Sequence, residues 1–150
     1  MARVTRKRLV SASPDDVWKL VSNPYDLPRW WPRTTRVENV DEKGGGRRAR
    51  WTQVLETAEG RGVRADFRCL SSAQGERYVW EQELEGTPFQ RHLKGLRVEV
   101  GLRRQDAGTE VSLTEEQSLK GMSKLGSPLM RRARGDVLDE ALDGIERALA

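Results

Sequence analysis

Residues Ser127-Pro128-Leu129-Met130-Arg131-Arg132-Ala133-Arg134-Gly135-Asp136-Val137-Leu138-Asp139-Glu140-Ala141-Leu142-Asp143-Gly144-Ile145-Glu146-Arg147-Ala148-Leu149 read differently from every segment before them. Ser127 and Pro128 supply an N-cap and a first helical residue. Met130, Ala133, Val137, Ala141, Ile145 and Leu149 then recur at spacings of three or four, one apolar stripe of helical period. Arg131, Arg132, Arg134, Asp136, Asp139, Glu140, Asp143, Glu146 and Arg147 cover the rest. The spacing predicts a helix of roughly 22 residues, about 33 Å long, enough to lie across a whole sheet. Val137 and Ile145 are expected on its core face.

Upstream the period is two. Thr35 to Asp41, Arg47 to Thr57, Arg61 to Ser72, Glu76 to Glu85, Phe89 to Arg104 and Thr109 to Leu119 are extended runs. Between them stand turn signals: Gly44-Gly45-Gly46, Glu59-Gly60, Gln74-Gly75, Gly86-Thr87-Pro88 and Asp106-Ala107-Gly108. Such runs at this spacing predict an antiparallel meander. Before them, Ser13-Pro14-Asp15-Asp16 opens a helix that carries Val17, Trp18, Leu20 and Val21, and Asn23-Pro24 stops it. Tyr25 to Trp31 reads as a second short helix, closed by Pro32. Arg3 to Ser11 is an opening strand whose alternation is too poor to assign a face. The order is one strand, two short helices, six strands and a long helix. It predicts an α+β helix-grip architecture: a seven-stranded curved antiparallel sheet wrapped around the C-terminal helix, one domain over residues 1–150.

Composition narrows the functional classes. The chain has 150 residues and 17.1 kDa, with 36% apolar and 33% charged residues and a mean hydropathy of -0.74. Five Trp, two Tyr and two Phe still supply bulky core material, which argues against disorder. Arg makes up 21 of the 27 cations, but a net charge of +4 is a weak field, so no specific nucleic-acid partner is expected. The basic clusters Arg47, Arg48, Arg50 and Lys120, Lys124, Arg131, Arg132, Arg134 read as solvated faces. Cys69 is the sole cysteine and His92 the sole histidine. An intrachain disulfide, a Cys-based zinc site and a multi-His metal site are thereby excluded. No nucleophile-elbow pattern is present. Gly44-Gly45-Gly46 is followed by neither Lys-Ser/Thr nor a helix, so no phosphate-cradling loop and no cofactor are expected. No apolar run approaches the ~18 residues of a membrane span. The basic start Met1-Ala2-Arg3-Val4-Thr5-Arg6-Lys7-Arg8 leads into no apolar signal region, and a cytoplasmic location is the expectation.

Four segments carry a family likeness. Ser13-Pro14-Asp15-Asp16-Val17-Trp18, then Trp30-Trp31-Pro32, Gly108-Thr109-Glu110-Val111 and Ala141-Leu142-Asp143-Gly144-Ile145-Glu146, set in this element order, resemble the START-like superfamily. That superfamily is also called SRPBCC or Bet v 1-like, and the nearest resemblance is to its bacterial polyketide cyclase/dehydrase branch. The resemblance spans essentially the whole chain. It implies the helix-grip fold. It leaves function open, because the superfamily holds lipid carriers, hormone receptors, cyclases, hydrolases and chaperone partners. No catalytic motif of the family matches residue by residue, so no catalytic residue is carried over.

Alternation assigns the concave face. Val63, Ala65, Phe67 and Cys69 oppose Arg64, Asp66 and Arg68; Tyr78, Trp80, Gln82 and Leu84 oppose Arg77, Val79, Glu81 and Glu83. Leu96, Val98, Val100 and Leu102 point inward, as do Val111, Leu113, Glu115, Gln117 and Leu119, and Trp51, Gln53 and Leu55. Carried back without a bulge, the same parity turns Gln90 and His92 inward; a bulge at Gly95 reverses it. A lining of large rings with sparse polar groups suits a small-molecule cavity. The candidate ligand-binding residues are Trp30, Trp51, Phe67, Tyr78, Trp80, Gln82, His92, Val98 and Gln117. Trp30 and Trp31 are placed at the cavity mouth. Cys69, on an apolar face, is expected to be inert. Glu115 is an inward acid in need of a partner, with Arg91, Arg97 and His92 as candidates. The leading function is binding of a small hydrophobic or aromatic molecule, lipid- or polyketide-like, between sheet and helix. The alternatives are a polyketide cyclase/dehydrase-type enzyme using that cavity and an interaction protein whose cavity is incidental. The oligomeric state is left open.

Overall fold

A computed structural model describes residues 2–41, 49–57, 59–120 and 127–150, with side chains from 131 onward in the last segment. The turn at Gly44-Gly45-Gly46, the cations Arg47, Arg48 and Lys124, and the side chains of Ser127, Pro128 and Met130 lie outside the described residues.

Ser13 starts the first helix as its side chain dictates: its Oγ accepts from the Asp16 N–H at 3.2 Å, with Pro14 in the first turn. This helix, α1, spans Pro14–Val21 and buries Val17, Leu20 and Val21. Asn23 caps a 3₁₀ turn at Pro24–Asp26, accepting from the Tyr25 N–H at 3.1 Å. The short helix α2 follows at Leu27–Trp30 and stops before Pro32. The seven strands are β1 (Ala2–Val10), β2 (Thr34–Asp41), β3 (Arg50–Glu56), β4 (Gly62–Ala73), β5 (Arg77–Glu83), β6 (Leu93–Gln105) and β7 (Gly108–Leu119). The last helix, α3, is Ser127–Ala148.

All six strand pairs are antiparallel, in the order β1-β7-β6-β5-β4-β3-β2. Register shifts interrupt the ladders in β2, at Cys69/Ser71 and at Leu93/Gly95. Bulges of this kind bend strands and add twist, which curls the sheet toward α3. Gly75, at φ 77°, makes the tight β4–β5 hairpin, a left-handed conformation that costs other residues. The helix-grip architecture is thus the one the element order predicts.

Three details differ from the sequence reading. First, α3 packs on β1 and α2 through Leu138, Ala141, Leu142 and Ile145, all 0% exposed. Ala133 is exposed and Val137 only half-buried, so the buried stripe is rotated from the one read by spacing. Second, β1 alternates poorly because its inward positions include Arg6 and Arg8. These reach acids of α3: Arg6 lies 3.6 Å from Asp139, and Arg8 Nη1 pairs with Asp143 and with Glu146 at 2.7 Å. The hydrogen bonds that Arg8 donates to Asp143 and Glu146 hold its guanidinium above its ordinary pKa. Third, Val79, assigned to the outer, solvated face, is buried between the Arg68–Glu81 and Arg77–Glu99 pairs of the central strands.

Candidate ligand-binding site

Strand register sets the rows of the concave face. Trp51, Phe67 and Gln82 form one row across β3, β4 and β5. Cys69, Trp80, Val98, Glu115 and Val4 form the next, from β4 to β1. Tyr78, Val100, Leu113 and Arg6 form a third. The inward parity read from the sequence holds for β3, β4, β5 and β7: Trp51, Gln53, Phe67, Cys69, Tyr78, Trp80, Gln82, Glu115 and Gln117 are all buried.

The rings pack against one another. Trp80 is the hub, with ring centroids 6.2 Å from Trp51, 6.1 Å from Trp30, 5.7 Å from Trp31 and 6.0 Å from Tyr78. Trp18 of α1 extends the chain to Tyr78, and Trp51 stacks on Phe67 at 6.1 Å with 17° between planes. Edge-on and offset pairs of this kind each add about 0.5–1.5 kcal/mol beyond their buried area. Trp30 is buried at the seam of α2 and α3, with its backbone against Gly144.

The polar groups behave differently from one another. Gln53 donates from Nε2 to Thr34 Oγ1 at 2.7 Å. Three buried donors have no hydrogen-bond partner among the described residues: Trp30 Nε1, Trp51 Nε1 and Gln82 Nε2. Glu115 is paired, but not with Arg91, Arg97 or His92. Both its oxygens are taken by Arg134 of α3, whose Nε bonds Oε2 and whose Nη2 bonds Oε1 at 2.5 Å. The signal for this pair was available: Arg134 stands at the helical spacing that leads into Leu138, Ala141 and Ile145. Burial pushes the Cys69 thiol up, partly offset by a hydrogen bond with Tyr78, which agrees with an inert thiol.

His92 is a correction. Pro88–Arg91 forms a 3₁₀ turn and not strand, and His92 ends that turn, exposed. The bulge between Leu93 and Gly95 breaks the parity that had turned it inward. Gln90 is exposed as well, and its Oε1 accepts from the Gly86 N–H.

Three clefts open near this face. One of about 510 Å³ lies where β5 and β6 part beyond the Glu81–Arg97 pair, and Gln82 and Leu96 line it. A second of about 470 Å³ lies between the first half of α3, Trp31–Arg33 and the end of β3; Arg134, Val137 and Leu55 line it. A third of about 330 Å³ adjoins it, sharing Trp31 and Arg33 and adding Trp30. Trp51, Phe67, Tyr78, Trp80 and Val98, expected to line a cavity, line none of these three. They are engaged in the ring-on-ring packing of the interior.

The family described as polyketide cyclase / dehydrase and lipid transport matches residues 1–150. The chain belongs to that family. Solved structures agree on the fold of this polyketide cyclase/dehydrase-family protein. The protein TTHA0849 from Thermus thermophilus superposes with a TM-score of 0.77 at 21% identity, covering 98% of this chain and 96% of that one. A START superfamily protein from Mycobacterium smegmatis gives 0.81 at 14%, covering 99% and 97%. StfQ, a di-domain ARO/CYC from the steffimycin biosynthetic pathway, gives 0.81 at 12%, and the chain corresponds to 50% of its length. At these identities the likeness concerns the fold. Curated proteins gave no significant sequence match. Among the described residues no helix is long and apolar enough to cross a membrane.

Proposed function

We propose that this family member binds a small hydrophobic or aromatic molecule, lipid- or polyketide-like, between the concave face of the sheet and α3. One observation carries the reading. Trp51 and Gln82 stand at the two ends of one row, with Phe67 between them, and each holds a buried N–H donor without a partner among the described residues. An unsatisfied buried donor costs about 1–3 kcal/mol, and a ligand oxygen would recover that. Flat rings then supply affinity by area while the two donors orient the ligand. Of the candidate contacts, Gln82 and Trp30 already line open clefts, and Trp51, Phe67, Tyr78, Trp80, Val98 and Gln117 become contacts where the ligand parts the packed rings.

The enzymatic reading, a cyclase or dehydrase, needs convergent free acids and bases inside. Glu115 is already engaged by Arg134, and His92 lies at the surface, which favours binding without turnover. Native mass spectrometry of protein taken from its own host tests the proposal, with an added ligand mass expected. Nile red titration of the folded protein gives a second readout: saturable, blue-shifted emission that weakens in Gln82→Leu. Protein that carries no added mass and leaves Nile red unshifted would remove the binding reading.

A further inference from the structure

We infer that Glu115 and Arg134 form a head-group anchor that selects neutral, carbonyl-bearing ligands and rejects carboxylates. The inference rests on the binding reading above and names the chemistry of its ligand.

The pair is poorly explained as a packing device. The Glu115 side chain is 1% exposed and that of Arg134 30%. Taking two such charges from water costs about as much as their attraction returns, and an apolar pair would fill the space at no such cost. Arg134 is also turned in a particular way. It offers Nε and Nη2 to Glu115, and it lines the cleft of about 470 Å³ whose walls include Trp31, Leu55 and Val137. A guanidinium carries five N–H donors, so the two bonds to Glu115 leave three, two of them on Nη1. Nη1 has no hydrogen-bond partner among the described residues. The cleft thus combines apolar wall residues with the donors Arg134 has left, oriented by the carboxylate behind it.

The charges around those donors decide what they accept. Besides Arg134, the cleft is lined by Arg33, Glu56, Asp136 and Glu140. None of these three acids has an ion-pair partner among the described residues. With Glu115, four acids face two cations. A carboxylate entering the cleft meets a net negative field, whereas a ketone or ester oxygen accepts from Nη1 without that repulsion.

The test uses three naphthalenes of one shape: 2-acetylnaphthalene, 2-ethylnaphthalene and 2-naphthoate. Each is titrated at neutral pH against the full chain, followed by the Trp indole N–H signals in 1H-15N NMR. Wild type should bind the ketone about tenfold tighter than the other two, the size expected of one hydrogen bond to a charged donor. The double variant Glu115→Met/Arg134→Met removes both charges together and leaves neither unpaired. It should still bind 2-ethylnaphthalene, which shows an intact cleft, and should lose the ketone preference. Arg134→Lys, which keeps the charge and loses the planar fork, should fall between them. A ketone preference that survives in the double variant would overturn the anchor. So would naphthoate binding as tightly as the ketone to wild type. Equal binding of all three overturns the anchor alone, and absence of binding by all three overturns the binding reading with it.

Discussion

No side chain fits between Gly144 of α3 and the backbone of Trp30. A Cβ placed on Gly144 would stand 2.7 Å from the Trp30 Cα and 2.8 Å from its carbonyl carbon, and would overlap its carbonyl oxygen. The obstacle is backbone, and the backbone is held by α2 and by the packing of Trp30 against Trp31 and Trp80. Gly144→Ala should therefore force α2 and α3 apart. Overpacking of this kind costs about 1–3 kcal/mol, against about 1 kcal/mol regained from helix propensity. Gly135 is the control. The three atoms nearest to a Cβ there all belong to the guanidinium end of Arg6, which can swing away. Losing the Arg6–Asp139 contact costs about 0–1 kcal/mol, so Gly135→Ala should be close to neutral. Thermal unfolding of both variants checks the contrast, and equal melting temperatures would contradict it.

The rotated stripe of α3 separates two substitutions that spacing alone treats as equivalent. Ile145 is fully buried, so Ile145→Asp places an unpaired charge in the core and should unfold the protein, a loss of several kcal/mol. Val137 lines the open cleft beside Arg134. Val137→Asp should keep the fold and shift the melting temperature by only a few degrees. Circular dichroism decides, and a Val137→Asp protein that is unfolded at 25 °C would mean that the helix seats differently.

Arg134 and Glu115 should be unequal in stability as well as in exposure. Arg134→Met leaves a carboxylate buried with no partner, at a cost of about 3–5 kcal/mol. Glu115→Met leaves a guanidinium that is still 30% exposed and free to rehydrate through the cleft, so its loss should be smaller. The double change should be milder than Arg134→Met. Urea unfolding of the three variants gives the ranking, and a larger loss from Glu115→Met than from Arg134→Met would reverse the argument.

Cys69 gives a pH-dependent test. Its thiol is raised above the ordinary 9.0 by burial, with the Tyr78 hydrogen bond opposing. A raised pKa in the folded state contributes stability that is complete below the unfolded value and is lost as pH rises through the folded value. Iodoacetamide at pH 8 should leave native Cys69 unmodified and label it once urea unfolds the chain. The urea midpoint should fall as pH rises past 9, and Cys69→Ala should flatten that fall. Rapid labelling of the native protein would refute the protected thiol.

Local pattern was enough for the elements and for most of the concave face. A change of period at Ser127, Gly turns at Gly75 and Gly86, and the Ser13-Pro14 start are properties of short windows, and each is present as read. Parity put Phe67, Tyr78, Trp80 and Gln82 inside because pairing on both flanks of β5 fixes which face the pleat presents. It failed at His92, where Pro88 starts a 3₁₀ turn and a bulge follows, since parity survives only along an unbroken ladder.

What tertiary structure alone decided is the phase of α3 and the partners of buried charge. A stripe of period 3.6 defines an arc but not its centre. Here the centre is set by the close approach at Gly144 and by Arg6 and Arg8, cations on an inward face that pair with acids of a helix more than a hundred residues away. Glu115 likewise takes its partner from α3 and not from the neighbouring strands. The sequence names the residues that must be satisfied. Only the packing of helix on sheet brings together, at ångström range, the groups that satisfy them.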